Sequence, residues 1–106
     1  MLDADIDQMV QTLNLKTKAG REALIVMIEN LQLLDKKQQD YGAKNISDFG
    51  TLGVVIRMND KFRRLQTLFA TQKRKPRNES IRDSFRDIAN YAEIALLLDS
   101  GKWPKE

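Results

Sequence analysis

Three observations in the sequence predict an all-α fold, a small bundle of three long helices with a short N-terminal one. Apolar residues recur at spacings of three and four through three long stretches, the period of a helix with one buried face. Glycine or proline stands just beyond each stretch, at Gly42, at Pro76, and at Gly101 with Pro104. No segment keeps the strict alternation of a strand; Val54-Val55-Ile56 has strand propensity but sits inside a helical period that continues to Phe69. At 106 residues the chain is expected to form one domain over 1–106. A chain this short buries only roughly 60–65% of the surface its unfolded form exposes, so completion of the bundle by oligomerisation is expected.

The first helix is expected over 1–14, with Ile6, Met9, Val10 and Leu13 on one side and Asp3, Asp5 and Asp7 at its positive end. The second is expected over 20–41. Leu24, Met27, Ile28, Leu31 and Leu34 form its apolar stripe, Glu29, Lys36 and Asp40 its polar line, and Gly42 its stop. Residues 41–53 hold three glycines and connect two long helices, with Ser47 expected to cap the next helix and Asp48 to add first-turn charge. The third helix, 51–72, carries a stripe of Val54, Val55, Met58, Phe62, Leu65 and Phe69. Asp60 lies opposite that stripe, between Arg57 and Arg64. Pro76 blocks a continuous helix, and the fourth opens at Asn78 or Ser80. Its stripe is Ile81, Phe85, Ile88, Ala92 and Ala95, its end is apolar nearly all round, and Trp103 is expected to fold back beyond Gly101.

Composition excludes several chemistries. There is no cysteine and no histidine, so thiolate catalysis, an imidazole base, disulfides and zinc held by sulfur or imidazole are absent. Any divalent ion must be held by oxygen, which suits Mg²⁺, with Mn²⁺ as substitute. The formal charge of +3 is a weak bias. The basic residues cluster, however: Lys61, Arg63, Arg64, Lys73, Arg74, Lys75 and Arg77 fall in 61–77 with no acid among them, either a solvated surface or a phosphate-attracting one. No apolar run approaches the roughly 20 residues that span a bilayer, and a cytoplasmic protein without membrane contact is expected.

The residues able to carry chemistry are carboxylates and cations. Asp83, Asp87, Asn90 and Tyr91 share one side of the fourth helix by spacing. Asp40, Asp60, Asp83 and Asp87 are the acids that can converge, with Asp60, Asp83 and Asp87 the expected ligands of an ion. Carboxylates brought together repel unless a cation lies between them, and such an ion neutralises polyphosphate or activates water. Arg57, Lys61 and Arg64 are the matching phosphate clamps. Two roles stay open for Arg57–Asp60–Arg64: a surface ion-pair ladder of little energetic worth, or a ligand flanked by phosphate-holding guanidiniums.

Three blocks, Asp40-Tyr41-Gly42-x-Lys44-Asn45, Arg57-x-x-Asp60-Lys61-x-x-Arg64-Leu65 and Asp83-x-x-x-Asp87-x-x-Asn90-Tyr91, resemble the phage nucleotide-modification-associated domain type 1 family over roughly residues 31–100. The resemblance implies a distant likeness to the all-α MazG-like and dimeric dUTPase-like nucleotide pyrophosphohydrolases, with Mg²⁺ and a homo-oligomer. It also implies a nucleotide site between helices, using Asn45, Arg57, Lys61, Arg64, Asn90 and Tyr91 around the aspartates. The pyrophosphohydrolases carry Glu-x-x-Glu on one helix and Glu-x-x-Asp on the next. Here Glu29 is followed by Gln32 and Leu33, so the first motif is missing, and Asp83 with Asp87 at best replaces the second. The expected function is binding, with sequestration, of a nucleotide or signalling nucleotide, as in evasion of a host defence. The alternatives are Mg²⁺-dependent triphosphate pyrophosphohydrolysis, with Asp40, Asp60, Asp83 and Asp87 as its acids, and a nucleic-acid or protein adaptor using 61–77.

Overall fold

The computed structural model describes residues 3–71 and 81–105. It is all-α: α1 (Asp3–Thr12), α2 (Lys18–Tyr41), α3 (Lys44–Ser47), α4 (Gly50–Thr71) and α5 (Ile81–Asp99), with no strand among the described residues. The chain divides into two compact units, one up to Asp35 and one from Lys36 onward. The alternative caps Asn78 and Ser80 lie outside the described residues.

In the first unit α1 stops earlier than its apolar period predicts, because Asn14 takes a positive φ of 58°. The Leu15 amide then donates to Val10 O and the Asn14 amide to Gln11 O, both at 3.0 Å, which satisfies the last carbonyls of the helix. Asn is the residue other than Gly that best tolerates this conformation. Leu13, beyond the last helical residue, is left exposed, whereas Ile6 is buried. α2 starts earlier than expected, since Thr17 is its cap: the Gly20 amide donates to Thr17 Oγ1 at 2.9 Å. Arg21, one turn into α2, donates to and pairs with Asp7 of α1. No residue of α2 is buried, and Met27 and Leu31 of its apolar stripe, with Val26 off that stripe, are exposed.

In the second unit Gly42 ends α2 with φ +72°, and one turn of helix, α3, follows. This turn overrides the expected cap for α4. Ser47 is the last residue of α3, its hydroxyl donates to Lys44 O at 3.1 Å, and Asp48 closes the same turn. The reversal into α4 is made instead by Gly50, at φ +64°. Gly53 is held to glycine by space, since a Cβ there would stand 2.5 Å from Phe49 Cβ.

α4 and α5 pack against each other and run antiparallel. Trp103, just beyond the end of α5, meets Ala43, just before α3 and α4, whereas Asp87 near the start of α5 meets Lys61 midway along α4. Val54, Leu65 and Leu68 of α4 and Ser84, Asn90 and Ile94 of α5 are buried. Each large apolar side chain of that set contributes roughly 1.5–3 kcal/mol. The buried face of α4 is rotated from the expected one. At about 100° per residue, Leu65, Lys61 and Leu68 lie within about 40° of Val54, whereas Val55 and Phe62 lie about 80–100° away on one flank. Val55, Phe62 and Phe69 accordingly remain about half exposed or more, at 50%, 48% and 60%. The same shift in α5 buries Ser84 completely and leaves Phe85 54% exposed.

α5 ends as its sequence predicts. Gly101 takes φ +73°, its amide donates to Leu98 O at 3.2 Å, and the Lys102 amide donates to Leu97 O at 2.8 Å. This turn aims Trp103 back into the unit, where it is 7% exposed and its Nε1–H donates to Ala43 O at 3.0 Å. Trp103→Ala is expected to lower unfolding stability by about 3–5 kcal/mol. Trp103→Phe keeps much of the apolar burial but removes the indole donor, and is expected to cost about 1–2 kcal/mol. Urea titration followed by circular dichroism measures both.

Candidate functional site

The inward rotation of α4 brings three cations with it. Arg57, Lys61 and Arg64 follow one another at three- and four-residue spacing, so they form a ridge along one side. That ridge is half-buried, not solvated, whereas Asp60 beside it is exposed. Arg57, Asp60, Lys61 and Arg64, with Tyr91 from α5, line an open groove of about 430 Å³.

The ion-pair ladder along α4 does not form. Among the described residues Asp60 makes no salt bridge to Arg57 or Arg64, and Arg57 has no ionic partner. A half-buried guanidinium facing a groove keeps its planar donor fork available for a carboxylate or phosphate. Tyr91 adds a ring face and a phenolic hydroxyl that both donates and accepts. Asp60, the single acid of the groove among the described residues, accepts only, so it favours ligand groups that donate, such as sugar hydroxyls and base amines.

Behind the groove lies a second charged arrangement. Asp87 is only 14% exposed, and each of its carboxylate oxygens receives an ammonium: Lys37 Nζ is 3.1 Å from Oδ1 and Lys61 Nζ is 3.1 Å from Oδ2. Lys37 comes from the last turns of α2 and is 47% exposed, whereas Lys61 is 24% exposed. No short spacing in the sequence announces Lys37, which stands fifty positions before its partner.

The other expected site residues are dispersed. Asp40 is exposed near the end of α2, and Asn45 is exposed on α3; neither lines the groove. Asp83 is exposed in the first turn of α5. Asn90 is buried, 9% exposed, within the described part of α5. No three acidic residues among the described residues stand close enough to hold an ion, so the set of Asp60, Asp83 and Asp87 expected around Mg²⁺ is not gathered. The reason is physical: Asp87 turns both oxygens toward lysines, a pairing that satisfies its charge without a metal. Of the basic segment 61–77, Lys73, Arg74, Lys75 and Arg77 lie outside the described residues. No described helix is long and apolar enough to cross a membrane.

Residues 37–98 match the family model described as nucleotide modification associated domain 1. No curated protein and no solved structure matches the chain. The matched span begins one residue inside the second compact unit and contains the whole groove together with Lys37 and Asp87.

The two charged arrangements differ in what they do for stability. Arg57→Ala removes a side chain with no ionic partner among the described residues and is expected to change unfolding stability by no more than about 0.5 kcal/mol. Asp87→Ala strands two ammonium groups. It is expected to cost about 1–3 kcal/mol, held to that range by the exposure of Lys37. Equilibrium unfolding of both variants beside the wild type checks the contrast.

Proposed function

The chain belongs to the nucleotide modification associated domain 1 family, and from that premise we propose that it binds a nucleotide in the groove between α4 and α5. The observation that carries the reading is Arg57, a half-buried guanidinium without an ionic partner among the described residues, on the wall of a groove that Lys61, Arg64 and Tyr91 complete. A phosphate would take the guanidinium forks and the ammonium, where partial burial strengthens each charge-assisted bond. The base or sugar would lie against Tyr91, with Asp60 receiving a hydroxyl or amino hydrogen. Binding is read as sequestration: the ligand is held and released unchanged.

Isothermal titration with AMP, ATP and cyclic dinucleotides, first in EDTA and then with Mg²⁺, tests this. Saturable binding is expected without metal, about tenfold or more weaker in Arg57→Ala. Chromatography of the ligand recovered after denaturation is expected to return it intact. Pyrophosphate or nucleoside monophosphate appearing with Mg²⁺ would instead establish a hydrolase. Absence of binding by every nucleotide in the panel overturns the reading.

The same reading takes the protein as a homo-oligomer. Leu52, Val55, Asn59, Phe62, Gln66 and Phe69 alternate at spacings of three and four along the outer flank of α4, the repeat by which one helix accepts another. Leu52, Val55, Phe62 and Phe69 there are 48–70% exposed. A second copy placing the same flank against this one would cover them. Phe62→Glu is expected to shift the sedimentation coefficient to that of a monomer; a wild type that already sediments as a monomer at tens of micromolar refutes the assembly.

A further inference from the structure

The Lys37–Asp87–Lys61 arrangement is more enclosed than a surface pair, and it touches the groove through one member only. Lys61 lines the groove and also meets Asp87 Oδ2; Asp87 and Lys37 do not line it. We infer that Asp87 is a positioning residue, which fixes the Lys61 ammonium at the groove wall for a ligand phosphate, with Lys37 bracing the carboxylate from its other oxygen. The inference rests on the nucleotide reading above and assigns Asp87 a role other than that of a metal ligand.

Three properties support it. A lysine carries a flexible four-carbon stem, and capture by a phosphate costs it rotamer freedom. An ammonium already held by Asp87 has given up much of that freedom before the ligand arrives. An ammonium also has three donor hydrogens, more than the bond to Oδ2 takes up. Finally, Lys37 engages Oδ1, so the carboxylate cannot turn without breaking a second ion pair. Asp87 itself opposes an anion electrostatically, but two lysines share its charge and the trio stays net positive. The orienting effect and the charge effect therefore act in opposite directions, and an experiment can separate them.

ATP and AMP affinities of the wild type, D87N, D87E, K61Q and D87N/K61Q are measured in EDTA at 0.15 M salt, beside thermal melts that verify folding. D87N adds one unit of positive charge, so a purely electrostatic site would bind ATP more tightly. Positioning predicts about tenfold weaker binding, partial rescue in D87E, and no further loss when D87N is added to K61Q, because both changes disable the same ammonium. Equal or tighter binding by D87N, or additive losses in the double variant, overturns the inference. So does a wild type whose affinity rises with Mg²⁺ if D87N abolishes only that rise. Should D87N fail to fold, ¹⁵N-detected lysine ammonium signals of the wild type decide. The Lys61 signal is expected to be observable before ATP is added and to shift on titration, with Lys102 and Lys105 unmoved; an unresponsive Lys61 rejects the role. A wild type that binds no nucleotide removes the nucleotide reading and this inference together, whereas binding unaffected by D87N removes this inference alone.

Discussion

One ion pair sets the character of the second unit, because it lies in the middle of a helix–helix face. By helical angle Lys61 is about 20° from Val54 on α4, and Asp87 lies between Ser84 and Ile94 on α5. Two helices that met through apolar side chains alone could rotate or slide by a residue at modest cost. A charge pair within the contact cannot, since either movement would leave an ammonium and a carboxylate enclosed and apart. The register of α4 against α5 that places Arg57, Arg64 and Tyr91 on one groove is the register that this pairing, together with the burial of Val54, Leu65, Leu68 and Ile94, favours.

The arrangement also explains which parts were legible from the sequence. The three long helices and the short N-terminal one, their order, and the stops at Gly42 and Gly101 were readable, because the signals are local: the period of three and four, Gly42, and the turn at Gly101 that returns Trp103. The inward face of α4 was not. Val55, Phe62 and Phe69 are large apolar residues that drew the expected stripe toward themselves, yet they lie on the outer flank of that helix. The face that packs contains Lys61, which hydrophobicity ranks as surface. A periodicity argument assumes that burial follows polarity, and it fails where a half-buried cation has found its counter-charge. Ser47 failed for a different reason. A capping residue was present, but an unforeseen turn of helix claimed it, and the positive φ of Gly50 made the reversal into α4.

The candidate site was legible in part. Arg57, Asp60, Lys61, Arg64 and Tyr91 were recognisable from two short blocks and do line one groove. Asp87 was recognisable as important but not in its bonding, because its partners are remote in sequence and basic, not acidic. Asp40 and Asn45 carry family-like spacing but lie off the groove. Sequence blocks thus identified the helices that face one another better than the direction of each side chain on them.

Trp103 has a consequence for modularity. Its indole reaches the Ala43 carbonyl from sixty positions away, which brings the end of α5 beside the turn between α2 and α3. A folded segment whose entry and exit are neighbours can be joined to other sequence at both ends without its interior being stretched. The family match over residues 37–98 covers nearly the same span. Trp103, which closes the loop onto Ala43, lies just beyond the matched span.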